Sequence, residues 1–286
     1  MGFDVAGLGQ WAEEREFKVE GARTTAYAAA TNDANPRHAG GELAPPIFAV
    51  VPVWEAMTLA VARVTPPEVL MGVLHGEQDM RFRRPLVPGD VLRSRAAPVG
   101  VQVRASGTTL VVKTETRDES GELVNEQYTT MFFRGVTEGD SGGEEQPEHK
   151  LTAEVKAPGP LAEVTYAVDA DQTFRYAEAS GDRNPIHLDD NVARAVGLPG
   201  IIVHGLCTMA FASRAVIELV AGGDPRRLRR LAVRFSRPVL PGQAITTRIY
   251  GAGETDGLRG YGFEVVNPEG QAVVKDGRAE VTGSAG

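Results

Sequence analysis

The segment Ser180-Gly181-Asp182-Arg183-Asn184-Pro185-Ile186-His187 sets a carboxylate and an imidazole five positions apart, with a glycine and a proline to bend the chain around them. That spacing lets both side chains point into one pocket. Adding water across a polarised double bond needs a base for the water, an acid for the α-carbon and donors for the charge that grows on a carbonyl oxygen. Asp182 and His187 can supply the first two. The stretch IIVHGLCTM, Ile201 to Met209, offers the third. There His204 and Gly205 stand at the start of a long helix, whose first backbone N–H carries the helix dipole behind it and suits an oxyanion. A glycine leaves that amide open to close approach. His204 reads as a residue that caps or orients the helix start. Cys207, beside the apolar stripe with no base assigned to it, reads as a small buried thiol.

These residues must be held by something larger. From Leu206, the positions Met209, Ala210, Ser213, Val216, Ile217 and Val220 fall on one helical stripe, with Arg214 and Glu218 on the outer face. A strand-like stretch from Ala162 comes before the motif. Strand-like runs follow near Leu231 to Phe235, Ala244 to Tyr250, Tyr261 to Val266 and Ala272 to Val281, separated by Gly and Pro. The plan occurs twice. YAAATNDANPRH from Tyr27 matches YAEASGDRNPIH from Tyr176, and FRRPLVPGD from Phe82 matches FSRPVLPGQ from Phe235. In the first half a helix is expected from about Val50 to Val64, with Val53, Met57, Ala60, Val61 and Val64 inward. Strands are expected around Val91 to Val103, Thr108 to Arg117 and Val124 to Phe133. Thr137 to Lys150, polar and without apolar periodicity, reads as a linker. The expected organisation is a module over 1–136, a linker over 137–150 and a module over 151–286. Each is α+β, one helix against one antiparallel sheet, and the two would pair side by side.

The pattern Y-x-x-x-S-G-D-x-N-P-I-H followed by I-x-H-G resembles the signature of the MaoC-like hydratases and dehydratases, which include (R)-specific enoyl-CoA hydratases. The resemblance implies two tandem hotdog modules, each a long central helix wrapped by antiparallel sheet, forming a pseudo-dimer within one chain. It implies reversible hydration of a trans-2-enoyl thioester of coenzyme A or acyl carrier protein to the (R)-3-hydroxyacyl thioester. By position, Asp182 and His187 would hold the reacting water, Asn184 would orient that water or the imidazole, and the Gly205 amide would polarise the carbonyl. Ser213 would stand behind them. In the first copy Asp33, Asn35 and His38 are retained, but Thr31-Asn32 replaces Ser180-Gly181, and Phe48-Ala49-Val50-Val51 stands where Ile202-Val203-His204-Gly205 does. A β-branched residue in place of Gly205 would crowd the amide, so the first half is read as an inactive copy that shapes the acyl tunnel.

Other features point elsewhere or nowhere. Net charge is -8, with no basic run interleaved with aromatics, which argues against nucleic acid. A single cysteine excludes an internal disulfide and clustered-thiolate metal sites, and favours a reducing, cytoplasmic compartment. No signal peptide and no apolar window of membrane-spanning length is expected, and Ala6 breaks the myristoylation pattern that Gly2 suggests. The reaction needs neither metal nor redox cofactor. His75-Gly76 reads as structural, at the entrance to a strand. The arginines from Asp224 to Phe235 could meet coenzyme A phosphates or an acidic carrier, or be a solvated loop. GAGETDGLRGYG from Gly251 reads as a hairpin turn. Sheet edges remain for association into a homodimer. A hotdog thioesterase and a non-catalytic acyl-binding subunit are the competing readings.

Overall fold

The computed structural model describes residues 2–283. Its helices are α1 (Gly21–Ala30), α2 (Pro36–Ala39), α3 (Trp54–Val64), α4 (Ala153–Lys156), α5 (Gln172–Ser180), α6 (Asp190–Ala195) and α7 (Gly205–Val220). The strands are β1 (Arg15–Lys18), β2 (Val73–Phe82), β3 (Val91–Arg104), β4 (Gly107–Arg117), β5 (Leu123–Arg134), β6 (Gly142–Gly143), β7 (Ala162–Ala167), β8 (Leu228–Phe235), β9 (Ala244–Thr255), β10 (Leu258–Val266) and β11 (Ala272–Thr282). They fall into two compact units that interleave along the chain. Unit 1 holds residues 1–18, 52–83 and 90–148, and unit 2 holds 19–51, 84–89 and 149–286. The repeat divides the chain linearly, whereas packing places the first copy of the motif in the same unit as the second.

In unit 1 the strand order is β1-β3-β4-β5-β2, antiparallel throughout, with β6 also on β3. Alternation turns Leu110, Val112 and Phe133 to one face, where Met57, Ala60, Val61 and Val64 of α3 pack on them. The inward residues expected for this helix are all buried. Its start is later than expected: Pro46–Val53 forms 3-10 turns with Pro52 inside, because a proline has no N–H to give a regular α-helix. The run Pro46–Val64 is long and apolar enough to cross a membrane by length and composition, which corrects the expectation that no such window exists, but 67% of its window is buried inside the protein. His75-Gly76 are the third and fourth residues of β2, near its beginning, at the register shift between His75 and Glu77.

The expected linker is partly ordered against the sheet. Gly142 and Gly143 pair with Val101 and Gly100, and a Cβ on Gly100 would lie 1.7 Å from the Glu144 carbonyl oxygen. That contact is with backbone and has no rotamer to relieve it. Gly100→Ala is therefore expected to peel 142–144 from β3 and cost about 2 kcal/mol. Thermal unfolding checks this, as a drop of roughly 5 °C.

In unit 2 the order is β8-β11-β10-β9-β7, again antiparallel, close to the strands expected from composition. The β9–β10 connection is the expected hairpin, with Asp256 and Gly257 both at positive φ (53° and 74°). α7 is more deeply embedded than a one-stripe helix. Cys207, Thr208, Phe211, Ala212 and Ala215 are buried along with the predicted face, while Val220 is only half-buried. Each large apolar side chain so buried stabilises by roughly 1.5–3 kcal/mol. The helix that starts at Gly205 is thus a rigid part of the core.

Candidate active site

The second motif is built by a chain of short turns. α5 ends at Gly181 in the left-handed conformation (φ 84°), which a side chain rarely adopts. Asp182 then accepts from the Asn184 N–H through Oδ1 at 3.1 Å. Asn184 Oδ1 accepts from the Ile186 N–H at 3.3 Å, capping the 3-10 turn Pro185–His187. The exposed Asn184 side chain therefore shapes the turn that carries the imidazole. Thr173 Oγ1 donates to the His187 carbonyl at 2.6 Å and fixes the turn to α5.

His187 is buried, and its Nδ1–H donates to the Ile202 carbonyl at 2.8 Å. That bond sets the tautomer and leaves a lone pair on Nε2. The polar atoms of Asp182, His187 and His204 come within 4.8 Å of one another. No direct bond joins Asp182 to His187. The two side chains thus stand close and unbonded, with polar atoms no more than 4.8 Å apart.

His204 stands at the N-cap position of α7, yet its side chain makes no capping bond. Its Nε2–H instead donates to the Asp182 carbonyl at 3.0 Å, and its ring stacks on His187 with centroids 3.8 Å apart and planes 27° apart. Where the sequence suggests that His204 caps or orients the helix start, its side chain makes no cap and engages the Asp182 turn and His187 instead. The Tyr176 ring lies 4.8 Å from the His204 ring, tilted by 48°, and Tyr176 and Tyr27 share a buried O–H···O bond of 2.9 Å. The His204 side chain thus takes none of the first N–H groups of α7, the Gly205 amide among them. A Cβ on Gly205 would meet the Phe235 ring at 3.2 Å, so the glycine also makes room for that ring. Ser213 is buried further along α7, and its Oγ has no partner among the described residues.

Three donors in one cluster invite a metal. Two of the four imidazole nitrogens already donate to carbonyls, and the remaining two present in-plane lone pairs from nearly parallel rings. Such lone pairs do not converge on one ion about 2.0–2.1 Å from each, so the set does not fit a metal centre.

The first copy has the same letters and a different geometry. Asn32 takes the left-handed turn position in place of Gly181 (φ 52°), and Asp33 and Asn35 repeat the two turn bonds. Here, however, His38 Nδ1 bonds directly to Asp33 Oδ2 at 2.6 Å, and His38 is 0% exposed. No water fits between them. Val50 and Val51, the positions matching His204-Gly205, lie in the 3-10 segment and do not begin an α-helix. The far end of α7 engages the copy instead: Arg214 donates to the Asn32 carbonyl at 2.6 Å, and Asn35 Nδ2 donates to the Gly223 carbonyl at 2.8 Å.

Electrostatics separate the two histidines from water. Burial holds the His187 pKa below its ordinary 6.5, against the Ile202 bond and the Asp182 charge, which raise it. Burial, then the neighbouring His187, pushes His204 down to about 4. Both are neutral at neutral pH. Unfolding returns them to about 6.5, so the unfolded chain binds more protons than the folded one between pH 6.5 and about 4, and stability falls as pH is lowered through that window. Urea midpoints across the window should show the loss, and His204→Phe should make it shallower.

Several predicted features serve structure. Arg226 pairs with Asp224 at 2.8 Å, Arg227 donates to the Thr282 and Ala221 carbonyls, and Arg230 meets Glu280 at 3.3 Å. Cys207 is fully buried, and burial raises its thiol pKa beyond reach at neutral pH. Thr173, the Ile202 carbonyl and Phe235 had no assigned role in the sequence reading. Phe235 carried a signal as a repeated position and Ile202 as the first residue of the I-x-H-G pattern, while Thr173 carried none.

Comparison with known proteins places this geometry in context. Residues 152–269 match the MaoC like domain, and residues 42–135 match the MFE-2 hydratase 2 N-terminal domain. The 3-hydroxyacyl-thioester dehydratase Y of Mycobacterium tuberculosis is 33% identical over 215 residues, covering 73% of this chain and 72% of that protein. The peroxisomal multifunctional enzyme type 2 of Drosophila melanogaster is 35% identical over 63% of this chain, which spans 30% of its length. A probable enoyl-CoA hydratase 2 of Dictyostelium discoideum is 32% identical over 63% of this chain and 61% of its own. Among solved structures, a MaoC-like dehydratase from Phytophthora capsici superposes with a TM-score of 0.83 at 26% identity, covering 98% of both chains. A double-hotdog protein of M. tuberculosis, 15% identical with a TM-score of 0.62, shares the fold.

Proposed function

The chain belongs to the MaoC-like hydratase and dehydratase family, and from that premise we propose that it reversibly hydrates a trans-2-enoyl thioester to the (R)-3-hydroxyacyl thioester. The acyl group is carried on coenzyme A or acyl carrier protein. One observation carries the reading most directly: a carboxylate and a neutral imidazole stand unbonded within 4.8 Å of each other, close to a helix start with no side-chain cap. The same residues in the first copy have closed on each other.

In this reading Asp182 anchors the water and His187 Nε2 accepts one of its protons as the hydroxyl bonds to the β-carbon. The displaced π electrons move toward the carbonyl oxygen, which the Gly205 amide and the helix dipole stabilise. The imidazolium then delivers its proton to the α-carbon, and the site returns to its starting state. Water supplies every atom added, so no metal or redox cofactor enters the balance. Ser213 has an unspent hydroxyl behind this machinery. Association of two copies as a homodimer is part of the same reading, and light scattering reads it.

The test follows loss of enoyl absorbance with crotonyl-CoA and longer trans-2-enoyl-CoA substrates, together with release of free thiol. Hydration without thiol release is expected. Thiol release in step with substrate loss would establish a thioesterase instead. Silence on every chain length, with acyl-CoA still bound, would establish a binding subunit.

A further inference from the structure

The mechanism gives His204 no step, although the residue is 1% exposed and stands among those that do the chemistry. Its Nε2–H donates to the Asp182 carbonyl at 3.0 Å, and its Nδ1 is buried without a partner among the described residues. An imidazole with one nitrogen left unpaired is a costly way to fill a core position. The first copy fills the matching position with Val50, whose side chain has nothing to pair. That copy is also the one in which His38 closes onto Asp33 at 2.6 Å.

Two contacts of this one side chain reach both members of the catalytic pair. The bond to the Asp182 carbonyl ties down the main chain that carries the carboxylate. The ring stacks on His187 with centroids 3.8 Å apart and planes 27° apart. His204 is itself held in place. Its carbonyl accepts from the Thr208 N–H at 3.1 Å in the first turn of α7, and the Val203 N–H just before it donates to the Val239 carbonyl at 2.8 Å. Aromatic rings continue from it into the core: Tyr176 at 4.8 Å, then Tyr27 at 5.4 Å from Tyr176, then Phe48 at 5.5 Å from Tyr27. Tyr27 and Phe48 are 0% exposed and belong to the first copy, which thus braces the ring that stacks on the catalytic imidazole.

We propose that His204 is a positioning residue, which keeps His187 and Asp182 unbonded by fixing the ring of one and the main chain of the other. The assignment rests on the hydratase reading above. Without the stacked ring, His187 is free to close on its carboxylate as His38 does, and a carboxylate in direct contact favours the imidazolium over the neutral base. Asp182, on its own turn, and His204, at the start of α7, are the ionisable groups that act on His187.

The experiment measures kcat, KM and the pH profile of kcat/KM for crotonyl-CoA hydration in wild type, His204→Leu, His204→Phe and His204→Gln, with thermal unfolding alongside. His204→Leu is expected to lower kcat about 100-fold with KM within about threefold, the cost of a misplaced catalytic group. Its acid limb is expected to move to higher pH, because the closed imidazole holds its proton more tightly. His204→Phe keeps a ring and loses the donor, and is expected to lower kcat less and leave the limb near that of wild type. Both variants remove the same ionisable group, so an equal limb shift in the two would trace the effect to charge and overturn the assignment. Should the leucine variant not fold, His204→Gln, which keeps a donor without a ring, is expected to raise the limb in its place. A lowered melting temperature with kcat and the acid limb at wild-type values would mean that the ring only fills the core, and would also overturn the assignment. Silence of the wild type on crotonyl-CoA and its longer homologues would overturn the hydratase reading, and this assignment with it.

Discussion

Asp182→Asn is expected to lower kcat for enoyl-CoA hydration about a thousandfold while leaving the melting temperature almost unchanged. Asparagine is isosteric and keeps an oxygen for the Asn184 N–H, so the turn survives. What disappears is the anionic oxygen to which the proposed reading assigns the water. His187→Ala is expected to cost at least as much in rate, and somewhat more in stability, because the Ile202 carbonyl also loses its donor. The control is Asp33→Asn. Asp33 and His38 are in direct contact and buried, so this change should leave kcat within about twofold and lower stability by about 1–3 kcal/mol. Steady-state kinetics and thermal unfolding on the three variants separate these outcomes. A large rate loss in Asp33→Asn, with Asp182→Asn near normal, would exchange the roles of the two copies.

The second large effect concerns the start of α7. Gly205→Val is expected to lower kcat by about 10²–10³-fold, the range found when one oxyanion donor is lost. The amide itself remains. Its surroundings do not, since the new Cβ meets the Phe235 ring at 3.2 Å and that ring is held on β8, leaving the valine branches to occupy the approach to the N–H. Gly205→Ala should fall between the two, as the ring has only a few tenths of an ångström to give. Activity retained in Gly205→Val would place oxyanion stabilisation elsewhere.

Much of the architecture was legible because periodicity is local. The stripe on α7, the alternation in β3 to β5 and β8 to β11, and the Asp-Gly turn at Asp256-Gly257 each follow from neighbours in sequence. Departures came where a local pattern met a specific contact. Pro52 postponed α3, and Gly100 let the expected linker lie on β3. The duplication was plain in the sequence, but the packing of 19–51 with the C-terminal half was not, because nothing in a repeat states which copy's neighbours a segment will choose.

The sequence by itself determined which side chains stand near one another along each turn: Asp182 with Asn184 and His187, and likewise Asp33 with Asn35 and His38. Short Asx turns and a proline impose that geometry without help from distant residues. Only the tertiary structure decided which of the two pairs stays open. The Ile202 carbonyl turns His187 away from its carboxylate, and the stacked His204 ring supports it there. In the first copy His38 closes directly onto Asp33 instead. The difference between an unbonded pair and a closed pair lies in contacts made from fifteen and more positions away, which no local pattern encodes.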